Sequence, residues 1–528
     1  MLPSASAPPA HLEPLTGSAR LWGTLALSAA TFMNVLDTSI ANVSLSAIAG
    51  DLGVSPNQGT WVITSFGVAN AIAVPLTGWL SQRFGQVRLF MMSVLLFVIT
   101  SWLCGLAPNM TTLIIFRVMQ GLVAGPMIPL SQALLLSSYP KALAGLAMAL
   151  WSMTTLVAPV MGPLLGGWIT DNISWPWIFY INIPVGFAAA FITWRIFKDR
   201  ESPTRKLPID SVGLALLVIW VGALQIMLDK GKELDWFHSG EVIALGIVAL
   251  VGLITFVIWE LTEEHPVVDL TLFKRRNFWA GALALSMGYG LFFGNVVLLP
   301  LWLQQFMGYT ATQAGMVMAP VGILALVLSP LIGKNIGKLD PRKIAALAFA
   351  VFALVLWMRS NFNTQADFTT ILIPTIIQGV AMACFFIPLV TLTLSGLSPD
   401  KIPAASGLSN FVRILAGSFG TSIATTVWQD RAAMHHAHLS EAINLGSTAT
   451  NSTLAGLASA GLSPTQALGT INRLVDQQAY MLAASDVFYV SALMFLALIP
   501  VVFLAKHNKP GGGAASAGGG ADAAAGAH

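Results

Sequence analysis

The sequence predicts an all-α integral membrane protein of fourteen transmembrane helices, and three observations carry that prediction. Only 9 % of the 528 residues are charged and 55 % are hydrophobic, against roughly 25 % charged in soluble domains; mean hydropathy is +0.75. Fourteen apolar segments are long enough, or nearly so, to cross a hydrocarbon core of ~30 Å. The basic residues are sorted between alternate connections, as cytoplasmic loops require.

In chain order, the spans fall near 21–47, 59–80, 87–106, 112–137, 145–168, 177–197, 211–229, 240–260, 277–303, 313–333, 344–358, 368–396, 405–428 and 485–505. The first twenty residues have no basic region followed by a short apolar core. The segment after them is too long and too polar in its middle for a cleaved signal peptide, so 1–20 reads as a cytoplasmic N-terminal segment. With that end inside, nineteen of the 26 basic residues fall on the cytoplasmic side and five outside; Arg117 and Arg413 lie within spans. An even number of spans with both termini inside follows. The eleventh span is short, and Arg359 reads as its outer flank.

A repeat about eight spans long organises the chain. Pro75-Leu76-Thr77-Gly78 precedes one basic loop and Pro330-Leu331-Ile332-Gly333 another. Arg83 and Arg88 align with Lys338 and Lys343, and Gln120-Gly121 with Gln378-Gly379. Two six-helix halves, 21–197 and 277–505, separated by two extra central spans within 198–276, give that period. Residues 429–484 read as a long outside segment with helical patches. Pro464 is placed to start a helix on which Leu468, Ile471, Leu474 and Val475 form an apolar stripe. The Gly/Ala-rich tail, 506–528, reads as disordered.

The candidate chemistry lies inside the spans. Asp37 sits near the middle of the first span, where a carboxylate is costly unless neutralised, paired or facing a wet cavity. Asn34, Asp37, Thr38, Ala41 and Asn42 share one helical face, which reads as lumen-facing with one titratable group. Arg117, Gln120, Gly121, Ala124 and Gly125 share a face of span four; Arg117 needs an acceptor there, or snorkels to the outer surface. In span five, Ala158, Gly162 and Gly166 form a small-residue stripe, beside Gly167, that lets another helix approach, while Pro159 and Pro163 bend it. Gly78 and Gly85 permit a tight turn between spans two and three, anchored by Arg83 and Arg88. Arg413 in span thirteen reads as a gating or a structural charge, and Asp229 and Glu260 as acids snorkelling at span ends.

Other classes are disfavoured. No G-x-x-x-x-G-K-[ST] occurs, which argues against an ATP-driven pump. No nucleophile–base or metal pattern in the aqueous loops suggests an enzyme. Cys104 and Cys384 read as packing residues. His435, His436 and His438 read as a solvated cluster, with a metal site as the alternative. A net charge of +3 gives no reason to expect nucleic acid. The 28 Phe, 16 Trp and 20 Met suit an adaptable apolar pocket and equally suit lipid contact.

The run GWLSQRFGQVR, Gly78 to Arg88, resembles the loop signature of the major facilitator superfamily, with Gln82 where the usual acid stands. Arg117, Gln120 and Gly121 resemble the R-x-x-Q-G of its proton-coupled members, and APVMGPLLGGWI its antiporter motif. With LDTSIANVSL in span one and WPWIFYINIPVG entering span six, the chain resembles the fourteen-span drug:proton antiporters of the EmrB/QacA type. The long outer segment and QQAYMLAASDVFY resemble the EmrB branch. The resemblance implies the superfamily fold and export of hydrophobic or amphipathic drugs driven by the proton gradient, without a cofactor. It implies proton coupling through Asp37 and Arg117, with Asn34, Thr38, Asn42 and Gln120 on the substrate cavity. It further implies a bacterial inner-membrane location, a periplasmic membrane-fusion adaptor and an outer-membrane channel. The rivals are a proton symporter importing a polar metabolite on the same fold, and a non-transporting scaffold or sensor.

Overall fold

The computed structural model describes residues 13–506 except 55, 206, 207, 337 and 445; the Gly/Ala-rich tail, expected to be disordered, lies almost wholly outside the described residues. Every regular element among them is helical. Span one is α1 (Gly17–Val43), followed by the short α2 (Leu45–Asp51) and α3 (Pro56–Gly59). Next come α4 (Trp61–Ala73), α5 (Thr77–Phe84), α6 (Gln86–Gly105), α7 (Met110–Ala124), α8 (Met127–Ser138), α9 (Ala144–Asn172), α10 (Trp177–Tyr180) and α11 (Asn182–Phe197). A central pair follows, α12 (Ser211–Lys230) and α13 (Gly240–Thr262). The rest are α14 (Arg276–Phe306), α15 (Ala311–Met318), α16 (Pro320–Asn335), α17 (Pro341–Ser360), α18 (Phe368–Leu394), α19 (Ile402–Glu441), α20 (Thr448–Ser459) and α21 (Pro464–Phe503).

Local sequence explains where these helices start and bend. Asn109, Asp210, Asp340 and Asp367 each accept a hydrogen bond from a backbone N–H of the helix they precede. Ser463 and Gln466 form a reciprocal capping box with Pro464 in the first turn, so α21 starts at the proline. Proline, which lacks an amide donor, marks the breaks. Pro75 lies in the 63° bend between α4 and α5, Gly125-Pro126 separates α7 from α8, and Pro320 opens α16 after α15.

Among the described residues ten helical stretches are long and apolar enough to cross a membrane, with α7–α8, α10–α11 and α15–α16 each counted as one, and eleven if the bent pair α4–α5 is one span. Their outward faces are apolar and open: on α13, Ile247, Leu250, Ile254 and Ile258 are all exposed along one side, as expected where lipid is the solvent. α1 packs on α9 and α11, α6 on α7 and α11, and α4 on α7. In the later chain, α14 packs on α19, α18 and α21, α17 on α18 and α21, and α16 on α18. The two groups meet through α9 with α16 and α8 with α19.

One expectation is extended and one changes here. The stretch 429–484, expected to hold helical patches with a helix starting at Pro464, is mostly helix, because α19 and α21 continue, 40 residues each, with α20 between them. Glu260 does not snorkel: it is 2 % exposed and accepts from the Val268 amide (3.0 Å). Its position at the helix end suggested an interface, but the turn after α13 folds back over it.

Candidate functional site

Five helices converge on Asp37. It projects from α1, beside Arg117 and Gln120 on α7, Ser101 on α6, Asn182 at the start of α11, and the Val62 carbonyl on α4. Arg117 Nη1 donates to Asp37 Oδ2 (2.6 Å) and to Gln120 Oε1 (2.6 Å), and Nε donates to the Val62 carbonyl (2.9 Å). Gln120 Nε2 donates to Asp37 Oδ1 (3.2 Å) and Ser101 Oγ (2.7 Å). Asn182 Nδ2 donates to the same two oxygens, at 2.8 and 3.0 Å. The guanidinium also lies 4.3 Å from the Phe66 ring centroid and 5.4 Å from that of Phe179.

Both charged side chains are sealed: Asp37 is 1 % exposed and Arg117 0 %. Three N–H donors aimed at one carboxylate fit its ionised form, which only accepts. Arg117 makes no other ion pair among the described residues, and its Nη2 is buried without a partner. A proton on Asp37 therefore removes the charge that holds the cluster together and leaves a permanent cation buried.

Several residues fall elsewhere than expected. Burial differs along the α1 face. Asn34 is buried and donates to the Ala124 carbonyl (3.2 Å), and Gln120 belongs to the charge cluster rather than to a cavity wall. Thr38 is half-buried, and Asn42 is exposed at the end of α1. Arg117 does not snorkel. Asn182 and Ser101 were missed as site residues, although Asn182 stands in the run WPWIFYINIPVG; Ser101 follows Thr100 in a largely apolar span.

The span-five stripe meets α1. A Cβ on Gly162 would stand 2.3 Å from Ser39 Oγ and 3.0 Å from its backbone carbon; one on Gly166 would stand 3.0 Å from the Ile40 carbonyl oxygen. Ala158 is buried and Gly167 half-buried; the Pro159 and Pro163 side chains lie outside the described residues. The stripe thus seats α9 directly behind the helix that carries Asp37.

The turn between α5 and α6 has an acid after all, supplied from a distance. Gln82 spends its side chain on the Gly78 carbonyl (3.4 Å). Glu201, just beyond α11, accepts from the Val87 (3.0 Å) and Arg88 (2.8 Å) amides at the start of α6 and lies 4.0 Å from the Arg88 guanidinium. Gly85 has φ +88° there, and a Cβ on it would strike Glu201. Arg83 stacks on Trp79 (5.4 Å). At this end of the bundle the two helix groups touch. A Cβ on Gly78 would lie 2.5 Å from that of Ala404 on α19, and Gly145 and Gly333 press backbone to backbone between α9 and α16. Arg413 lies further along α19. It donates to Asn410 Oδ1 (2.7 Å) under the Tyr289 ring (4.6 Å), and Asn410 and Ser406 donate across to Gln132 on α8.

Of the three clustered histidines, His435 and His436 pair with acids of α21. His435 Nε2 lies 2.8 Å from Asp486, which also holds Arg431, and His436 lies 3.4 Å from Asp476. Among the described residues no group of His, Cys, Asp and Glu is disposed to hold a metal.

A multi-span helical bundle with a sealed carboxylate–guanidinium pair, closed by neutral amides, defines a membrane transporter. The chain belongs to the Major Facilitator Superfamily, whose family model matches residues 27–421, and within it to the EmrB-type drug:proton antiporters. It is 52 % identical over 502 residues to the multidrug export protein EmrB of Escherichia coli K12, covering 95 % of this chain and 98 % of that one. It is 51 % identical over 502 residues to the fatty acid resistance protein FarB of Neisseria gonorrhoeae, covering 94 % and 99 %. The crystal structure of the human organic anion transporter MFSD10 (TETRAN) superposes with a TM-score of 0.58 at 12 % identity, over 92 % of this chain and 100 % of that chain, a likeness of fold.

Proposed function

We propose that this chain is a proton-driven multidrug exporter that moves hydrophobic or amphipathic compounds out of the cytoplasm or the inner leaflet. The observation that carries the proton step is the buried Asp37–Arg117 pair. In the cycle we infer, the ionised pair holds α1, α6, α7 and α11 together while the basic end is shut. Opening to the outside admits a proton to Asp37, and Arg117 then keeps Gln120 Oε1 and the Val62 carbonyl as its hydrogen-bond acceptors. Opening inward, with drug entering, favours proton release and re-pairing. Access and proton affinity then change together, as coupling requires. The proton gradient is the only energy source needed, without a cofactor.

Fourteen spans fit this reading. Adding α1, α9 and α19 to the eleven apolar spans gives that number. The division is then two six-helix halves, 21–197 and 277–505, with α12 and α13 as extra central spans and both termini cytoplasmic in a bacterial inner membrane.

A tripartite assembly is the further part of the proposal. A 40-residue helix runs ~60 Å at 1.5 Å per residue, about twice the hydrocarbon core. α19 and α21 therefore extend beyond the bilayer as a hairpin. On it Ile471 and Val475 are buried, while Leu468 and Leu474 are exposed. An adaptor protein contacting that outer edge, and through it an outer-membrane channel, gives these leucines an apolar partner. Everted membrane vesicles test the exporter: drug should accumulate inside only when the interior is acid. Import by right-side-out vesicles on an inward proton gradient would favour the symporter instead.

A further inference from the structure

The later helix group holds a second sealed cluster, and it lacks a counter-charge. Arg359, in the last turn of α17, is 1 % exposed; sequence reasoning left it in an outer flank. Its Nη2 donates to Gln378 Oε1 (2.7 Å) and Thr375 Oγ1 (3.2 Å) on α18. Its Nε is buried without a partner, as is Oδ1 of Asn295 on α14. Among the described residues it makes no ion pair. Arg359 and Asn295 line one cavity of about 10 Å³, walled also by Phe292, Phe352 and Phe495, room for about one water-sized sphere.

The internal repeat relates this cluster to the first. Gln378 follows Gln120 by 258 positions, and Asn295 follows Asp37 by the same 258. The match is also spatial. A Cβ on Gly121 would strike the Phe66 carbonyl and Ala69; one on Gly379 would strike the Val321 carbonyl and Leu324. Thr375 holds the place of Arg117. Arg359 follows Cys104 by 255, the spacing between Arg88 and Lys343. Cys104 Sγ lies 3.6 Å from Gln120 Oε1, just as Arg359 meets Gln378 Oε1. The second cluster thus keeps the glutamine, carries its cation on the neighbouring helix, and has an amide where the first has a carboxylate.

A guanidinium cannot shed its charge, and a sealed charge without a partner is strongly disfavoured. We propose that a small monovalent anion, of chloride size, binds between Arg359 and Asn295 and stands where the carboxylate of Asp37 stands in the first cluster. The Asn295 amide donates one N–H to the Leu291 carbonyl (2.6 Å) and has a second N–H to offer the anion. A carboxylate on an apolar drug is too large for this space. A single water would satisfy both unpartnered atoms but would leave the charge uncompensated.

The test uses the full-length protein in detergent, melted in sodium chloride, sodium bromide or sodium gluconate at equal ionic strength. We expect a saturable rise in Tm with chloride and bromide over gluconate, and an anomalous bromide signal beside Arg359 in crystals. Asn295→Asp supplies the carboxylate internally and should abolish the halide-dependent rise while raising Tm in gluconate. Arg359→Gln should also abolish the rise; if it fails to fold, Asn295→Asp decides. Equal melting of the wild type in all three salts, a halide-dependent rise that persists in Asn295→Asp, or a lone water at the site would overturn the proposal.

Discussion

Replacing Asp37 by asparagine keeps the shape and removes the charge, and the cluster fixes what should follow. The carboxylate accepts from Arg117, Gln120 and Asn182 through two oxygens. An amide offers one oxygen and one N–H₂, so at least one of those donors faces another donor. Arg117, 0 % exposed, loses its counter-ion and keeps only the Val62 carbonyl and Gln120 Oε1. Leaving a buried charge unpaired typically costs ~3–5 kcal/mol. Asp37→Asn should therefore lose stability as well as coupling, and removing the stranded cation too, in Asp37→Asn with Arg117→Gln, should recover much of the stability. In a double-mutant cycle the two sites should be coupled by ~2 kcal/mol or more. The assay pairs denaturation of the purified variants with drug-dependent proton flux in proteoliposomes under an imposed pH gradient. Neither the single nor the double variant should move protons in response to drug. The reasoning is refuted if Asp37→Asn melts like the wild type, or exports drug with normal proton dependence.

Other outcomes follow from the packing. Gly162→Val should drive a side chain into Ser39 on α1 and cost ~1–3 kcal/mol; efflux by inserted protein should be lost, and unchanged efflux would show that α9 can retreat. Glu201→Gln removes the charge at the start of α6 and should cost ~0.5–2 kcal/mol, read as a lower Tm with slower transport. Deleting residues 446–462 removes α20, which has no buried residue, and vesicle transport should survive. Leu474→Asp alters an exposed side chain, so adaptor crosslinking and whole-cell resistance should fall while vesicle transport persists; equal loss of both would assign the helix to the transporter's own packing.

The sequence alone settled that the chain is helical and spans a membrane, because the transfer of apolar segments into lipid is a local property that composition and period report. It also settled which spans carry unusual charge: Asp37 and Arg117 stand out against apolar neighbours wherever they point. The span-five glycines were legible for the same reason. It could not settle what these residues touch. Arg117 had two readings, and only the meeting of its side chain with Asp37 of α1 and the Val62 carbonyl of α4 chose the ion pair. Asn182 lies 145 positions from Asp37, and Glu201 more than a hundred from the turn it caps; no helical period links such pairs. Arg359 was misplaced because hydropathy treats a charge at a span's end as flanking, although a neighbouring helix can close over it. Burial of a polar group is decided by what packs against it from elsewhere in the chain, and that is a property of the tertiary structure alone.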